Sequence, residues 1–303
     1  MSRTAAARVA EHPLERSRTD QPRPGQPHAK RRLPPVGRWI IVLAVVLIAS
    51  FPVYWMFNTA LTPRSELFTG QPLIPDLTRS GEIFAVFGSS VPIFTWLGNS
   101  AVVAIGTTVT SLMIAVLAGY GLSRYKFRGR GILGFALFAT QMLPEALLIV
   151  PLYALFASLS LLNGLFGLVL ANTAFVMPVA VWIVKSAMDA VPYEIEEAAR
   201  VDGCPRFVIL TRIMIPLTAP SIAAAAVILF FDGWNEYLFA STFIQDRGLW
   251  TASVGLSSFI GEFITPLSTV FSAAIVFTIP AIVFFLLVQR QIVSGLTAGS
   301  VKG

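Results

Sequence analysis

Six polar side chains stand inside long apolar stretches of this 303-residue sequence, where a polar group is costly unless it has a partner. They are Gln141, Glu145, Asn172, Asp232, Asn235 and Glu236. The last three have the i, i+3, i+4 spacing that places side chains on one helix face, and the first two have the i+4 relation. Because carboxylates and amides hydrogen-bond hydroxyl groups, the set predicts a path for a polar solute between helices. Pairing of these acids with a second membrane subunit is an equally open interpretation.

The apolar stretches contain no Lys or Arg. They therefore disfavour a phosphate-bearing or acidic solute unless a partner supplies the cations. Trp182 and Trp234 also lie in these stretches, and they can either stack on sugar rings or pack against lipid and a subunit interface. The one cysteine is Cys204, and both histidines, His12 and His28, lie near the N-terminus. The sequence thus predicts no intramembrane metal site and no enzyme nucleophile.

A second feature is the polar segment 189–216, which separates two apolar runs. Pro192 fits the first turn of a helix, and glutamates follow near the positive end of the helix dipole. Glu196 and Arg200 have the i, i+4 spacing of a favourable ion pair. Gly203 is placed to end this helix.

Pro205 can begin a further short helix, which we expect to end before Pro216. The small side chains of Ala198 and Ala199 would let a partner's backbone approach closely. A docking surface for a protein and an amphipathic helix on lipid headgroups are both open, although three glutamates oppose contact with an anionic leaflet.

The elements that position these residues are membrane-spanning helices. A mean hydropathy of +0.73, with 55% hydrophobic and 13% charged residues, is typical of membrane proteins. The predicted spans are Trp39–Phe57, Leu97–Leu122, Gly131–Leu155, Leu162–Val184, Pro216–Thr242 and Val270–Val288. The first run extends roughly 28 Å as a helix, enough to cross the hydrocarbon, and is longer than the apolar region of a signal peptide. The fold class is therefore an all-α membrane protein with six transmembrane helices.

Three regions follow from this pattern. Residues 1–38 are polar and predict a disordered basic tail. Residues 39–290 form the membrane domain, and 291–303 form a C-terminal tail. Placing both termini inside puts 19 of the 22 Lys and Arg residues on the cytoplasmic side, with three outside: Arg64, Arg79 and Arg247. This distribution reflects topology, so no nucleic-acid partner is predicted.

Three stretches resemble binding-protein-dependent ABC importer permeases, and most closely the second permease subunit of maltose-type sugar importers. Segment 197–216 carries Glu-Ala-Ala, a glycine after three residues, and Ile-x-hydrophobic-Pro. Residues 234–237 are similar to the Trp-Asn-Glu-aromatic motif of sugar permeases, and residues 289–303 are similar to the family's tail. Asp232 departs from the small or apolar residue expected there, and Ser300 stands where glycine is frequent.

The resemblance implies a type I ABC importer permease fold with cytoplasmic termini, in a bacterial cell membrane. It implies a second permease subunit, two ATPase subunits or a homodimer of them, and an extracytoplasmic solute-binding protein. It also implies that 189–216 is a cytoplasmic coupling loop whose helix enters a groove on the ATPase. The residues implied to dock there are Glu196, Glu197, Ala198, Ala199, Asp202, Gly203, Ile213 and Pro216.

The sequence has no Gly-Lys-Ser or Gly-Lys-Thr phosphate loop. We therefore expect no cofactor in this chain, with ATP and magnesium bound by the partner ATPases. The predicted function is a transport subunit, not an enzyme, in the import of a sugar or polyol. The alternatives are a permease for a non-sugar solute, a secondary transporter using the intramembrane acids as ion relays, and a membrane-embedded enzyme.

Overall fold

The computed structural model describes residues 35–67, 69–88, 91–261 and 267–299, which contain helices and connecting segments but no strand. The α-helices are α1 Pro35–Leu61, α2 Arg64–Leu67, α3 Ile93–Arg124, α4 Arg130–Thr140, α5 Glu145–Ser158, α6 Leu165–Asp189, α7 Tyr193–Val201, α8 Arg206–Ile209, α9 Ile215–Asn235, α10 Leu238–Phe243, α11 Ala252–Gly261 and α12 Leu267–Gly299. Two 3₁₀-helices, Leu77–Gly88 and Arg247–Leu249, and a π-helical turn, Leu210–Met214, complete the secondary structure of these ranges.

The chain divides into two units, residues 1–51 and 52–303. In its described part, the first unit consists of the N-terminal portion of α1. The second unit contains the rest of α1 and all the later elements. Most of the predicted tail 1–38 lies outside the described residues, and α1 already begins at Pro35. The last helix extends to Gly299, within the segment predicted as a tail, while 300–303 lie outside the described residues.

Five of the described helical segments are long and apolar enough to cross a membrane, and the number is six if the bent pair of α4 and α5 counts as one span. This agrees with the six predicted spans, with two corrections. The predicted continuous span Gly131–Leu155 is two helices, α4 and α5, inclined at 100° to each other. Pro144 explains the bend, because it lacks an amide hydrogen and disfavours a helical conformation at the preceding residue.

The second correction concerns the predicted span Pro216–Thr242. The helical path begins earlier, at Arg206, and passes through the π-helical turn and Pro216 into α9. The second short helix predicted for the polar segment therefore does not end before Pro216. The path also breaks near its far end, where Glu236 adopts an extended ψ of 128° between α9 and α10.

Helix α3 is the centre of the second unit and packs against both α6 and α9. The hydroxyl groups of Thr110 and Thr173 lie 2.7 Å apart and join α3 to α6. On the other side, a Cβ atom built on Gly233 would lie only 3.1 Å from the Cα atom of Ala104. A residue with a Cβ atom at this position would require the α3 backbone to shift by a few tenths of an ångström. The contact falls in the N-terminal half of α3.

An aromatic stack joins α9 to α12. The ring centroids of Phe230 and Phe284 are 3.7 Å apart, and those of Trp234 and Phe277 are 5.2 Å apart. Trp234 is fully buried in this stack. The structure thus places Trp234 between two helices of the same chain, a use that differs from both of the predicted ones.

Substitution of Gly233 by valine is expected to separate α3 from α9. The added methyl groups must displace the α3 backbone, so we expect a loss of about 1–3 kcal/mol in stability, seen as a lower thermal unfolding midpoint of the solubilised protein. The matched control is Gly98→Val on α3, because a Cβ atom there meets nothing within 4 Å. Equal midpoints for the two variants would contradict the close contact between α3 and α9.

Candidate functional site

A cavity of about 670 Å³ opens where α5, α6 and the end of α9 face one another. Five of the six predicted polar residues line it, from three separate helical segments: Glu145, Asn172, Asp232, Asn235 and Glu236. Aromatic side chains complete the wall, namely Phe175, Phe231, Tyr237 and Phe239. The structure therefore brings together groups that are up to 91 positions apart in the sequence.

Gln141 is the sixth predicted residue and does not line the cavity. It follows the C-terminal end of α4, and its Nε2 donates a hydrogen bond of 2.7 Å to the carbonyl oxygen of Phe175. Phe175 is part of the cavity wall. Gln141 thus contacts the backbone of the cavity wall and is not among its lining residues.

The break between α9 and α10 gives Glu236 a structural role that its predicted helical position did not include. Its two carboxylate oxygens accept hydrogen bonds from the backbone amides of Phe239 at 2.5 Å and Ala240 at 3.0 Å. These amides belong to the first turn of α10, where no backbone acceptor is available. The hydroxyl of Ser253 donates to the Glu236 carbonyl oxygen at 2.5 Å and holds the other side of the break.

Asn172 and Asp232 differ in how their polar groups are satisfied. Asn172 is only 2% exposed, yet its Nδ2 has no hydrogen-bond partner among the described residues. Asp232 is exposed toward the cavity. A free amide donor beside carboxylate acceptors can bind a molecule that presents both donors and acceptors, as hydroxyl groups do. No Lys, Arg or His belongs to the lining residues.

The second candidate site is the polar segment, whose first helix is α7. As predicted, the helix follows Pro192 and ends before Gly203, which has the left-handed φ of +80°. The amides of Gly203 and Cys204 donate to the carbonyl oxygens of Arg200 and Ala199, which closes the helix end.

The predicted docking residues divide into an exposed and a buried group. Glu197, Ala198, Asp202, Gly203 and Pro216 are exposed, whereas Glu196 and Ala199 are buried and Ile213 is half-buried. Glu196 does not form the predicted ion pair with Arg200. It pairs with Arg124 of α3, and Arg200 Nε instead donates to the backbone oxygen of Glu196 at 3.4 Å.

Sequence reasoning missed two residues of this region. Arg124 carries no local signal, because its partner lies 72 positions away and only the folded chain joins them. Val201 is 87% exposed at the end of α7, which is unusual for an apolar side chain next to polar neighbours. An apolar residue on an otherwise polar helix could have been noticed in the sequence. We define the docking face as the exposed residues Glu197, Ala198, Val201, Asp202 and Gly203.

Repeated spanning helices, a polar cavity among them and an organised helical loop define a multi-pass membrane transport protein. The family of binding-protein-dependent transport system inner membrane components matches residues 111–297, more than half of the chain. The chain belongs to this family, which confirms the predicted resemblance. It is a permease subunit of an ABC importer, and the family supports this over a secondary transporter or a membrane-embedded enzyme.

Several relatives have similarity along most of their length. The diacetylchitobiose uptake system permease DasC of Streptomyces coelicolor is 34% identical, covering 88% of this chain and 97% of the relative. The trehalose transport system permease SugB of Mycobacterium tuberculosis is 32% identical with the same two coverages. The sulfoquinovosyl glycerol transport system permease SmoH of Agrobacterium fabrum is 32% identical, covering 88% of this chain and 93% of the relative.

A solved structure shows the same fold. A bacterial ABC transporter involved in the import of the acidic polysaccharide alginate superposes with a TM-score of 0.72 at 23% identity. The match covers 84% of this chain and 95% of that chain. The type I ABC importer permease fold is therefore established for this chain.

Replacing Glu236 by alanine removes the acceptor for both α10 amides. We expect faster hydrogen–deuterium exchange at Phe239 and Ala240, because loss of such a cap costs about 0.5–2 kcal/mol. Asn235→Ala is the control: its Nδ2 donates only to the Phe231 carbonyl within α9. Unchanged exchange in Glu236→Ala, measured by mass spectrometry of this segment, would show that the carboxylate does not hold α10.

Proposed function

We propose that the chain forms part of the translocation path for a sugar or related polyol in an ATP-driven importer. The cavity is the observation that carries this proposal, because carboxylates, a free amide donor and aromatic rings are the groups that bind hydroxylated rings. Relatives named for diacetylchitobiose and trehalose support the same solute class.

The charge of the cavity narrows the class of solute further. Glu145, Asp232 and Glu236 give it three carboxylates, and no basic side chain belongs to its lining. Such a wall repels an acidic solute of the kind imported by the alginate transporter. We propose a neutral hydroxylated solute.

The proposed assembly supplies what this chain lacks. A second permease subunit would complete the path, and an extracytoplasmic binding protein would deliver the solute. Two ATPase subunits would bind ATP and magnesium, since the sequence has no phosphate loop. The complex would lie in the bacterial inner or plasma membrane, with both termini inside as the Lys and Arg distribution indicates.

The docking face of α7 is the proposed contact with the ATPase. Its exposed alanine, valine and glycine can be covered by a partner at little cost, while Glu197 and Asp202 supply polar contacts at the edge. The face lies at the same end of α3 as Arg124, whereas Trp96 at the opposite end donates to the carbonyl of Arg247. This separation agrees with an inner position for α7 and an outer position for residue 247.

The solute proposal is tested with the assembled importer purified together with its binding protein. Mass spectrometry of the ligand retained by the binding protein is expected to identify a neutral sugar or polyol. With that compound in proteoliposomes, Asp232→Asn is expected to lower the transport rate roughly tenfold, as for loss of a hydrogen bond to a charged acceptor.

The control for this test is Glu66→Gln, which changes an exposed carboxylate outside the cavity lining. Recovery of an acidic solute would contradict the proposed class. An unchanged transport rate in Asp232→Asn would instead favour pairing of this acid with the second permease subunit.

The docking proposal is tested with Val201→Glu. A charge buried against the ATPase without a partner is costly, so this variant should insert normally but lose the ATPase during co-purification. Phe127→Glu, an exposed apolar residue in the α3–α4 connection, is the control and should retain it. Retention of the ATPase by Val201→Glu would contradict the docking face. Gly203 is a less specific site for this test, because its positive φ makes any bulky replacement strain the backbone.

A further inference from the structure

Arg124, the last residue of α3, makes a concentrated set of contacts with α7 and the segment before it. Its Nε pairs with Glu196 Oε1, and both side chains are 5% exposed. Its Nη2 donates a hydrogen bond of 2.8 Å to the carbonyl oxygen of Val191. The guanidinium carbon lies 4.6 Å from the ring centroid of Tyr193. One side chain thus contacts three points around the start of α7.

Other groups of α3 and α7 complete this junction. The second carboxylate oxygen of Glu196 accepts a hydrogen bond of 3.1 Å from the hydroxyl of Tyr120, one turn earlier on α3. In the opposite direction, the hydroxyl of Tyr193 donates to the carbonyl oxygen of Arg124 at 3.2 Å. Both helices therefore provide donors and acceptors, and the contacts fix orientation as well as distance.

Non-helical segments connect α7 to the preceding and the following helix of the chain. Non-helical residues around Pro192 separate α7 from α6, and Gly203, with its positive φ, separates it from α8. Apolar packing with α6 and α8 also holds Ala199. Such packing is non-directional, whereas the junction with α3 fixes named atoms.

We propose that Arg124 is a positioning residue that makes α7 and α3 move as one body during transport. The proposal rests on the proposed function, in which the docking face of α7 meets the ATPase. Separating Arg124 from Glu196 would break an ion pair between two buried charged groups, which opposes any independent motion of the two helices.

A movement of α7 and α3 would reach the cavity through the contact between α3 and the cavity wall. Helix α3 has 32 residues, and a helix of this length extends about 48 Å. In its N-terminal half, Ala104 contacts Gly233, the neighbour of the cavity residue Asp232. A displacement of α3 driven from α7 therefore reaches the cavity through the close packing of α3 on α9.

The first experiment measures whether the two helices move together. Spin labels replace the exposed residues Lys126, just after α3, and Glu194, on α7, in a Cys204→Ser background of the complete importer. Double electron–electron resonance is recorded without nucleotide and in the ATP-trapped state. We expect one unchanged distance distribution in both states. A distance that changes between the states would overturn the proposal, and this measurement needs no substitution of Arg124.

The second experiment measures coupling in proteoliposomes. Arg124→Gln is expected to keep ATP hydrolysis but reduce solute transported per ATP roughly tenfold, a size common for coupling between linked sites. The charge exchange Arg124→Glu with Glu196→Arg should restore part of this ratio, which a purely steric role would not predict. Arg128→Gln, an exposed arginine four residues further along, is the matched control.

The outcomes separate the two proposals. If Arg124→Gln transports as much solute per ATP as wild type, the positioning role is wrong, while the proposed importer function stands. If the wild-type complex shows no solute-stimulated ATP hydrolysis, the proposed function itself fails.

Discussion

The structure depends on one constraint: in a membrane, polar groups must be satisfied inside the protein, because hydrocarbon offers no hydrogen bonds. Continuous helices meet this constraint along α3, α6, α9 and α12. Where a helix is interrupted, a side chain takes over. At the α9–α10 break the carboxylate of Glu236 accepts the amides that no backbone carbonyl can reach. The break between α9 and α10 therefore depends on one polar residue, whereas the bend between α4 and α5 follows from Pro144.

The interruptions also create the functional site. The bend before Pro144 brings Glu145 to the cavity, and the break after Asn235 turns the chain so that Tyr237 joins the wall. The cavity and the irregular backbone thus have the same local cause. Proline removes a backbone hydrogen bond, and a capping carboxylate accepts from amides that have no backbone acceptor.

Features that depend on short-range sequence were predictable, and those that depend on distant contacts were not. Apolar runs gave the spans, and Pro192 and Gly203 gave the limits of α7. The polar residues of the cavity were identified because charge is rare in apolar runs. Spacing alone predicted an ion pair between Glu196 and Arg200. In the folded chain the carboxylate of Glu196 is buried and pairs instead with the guanidinium of Arg124. Gln141 was likewise misplaced, since the helix bend that turns it toward Phe175 is tertiary information.

The capping role of Glu236 has a consequence for recognition. Each of its oxygens accepts one backbone amide, and a carboxylate has further lone pairs to offer. The side chain is already fixed in one rotamer before any molecule enters. An incoming hydroxyl group would therefore meet an acceptor whose conformational entropy has been lost during folding, and the association would not have to bear that loss again.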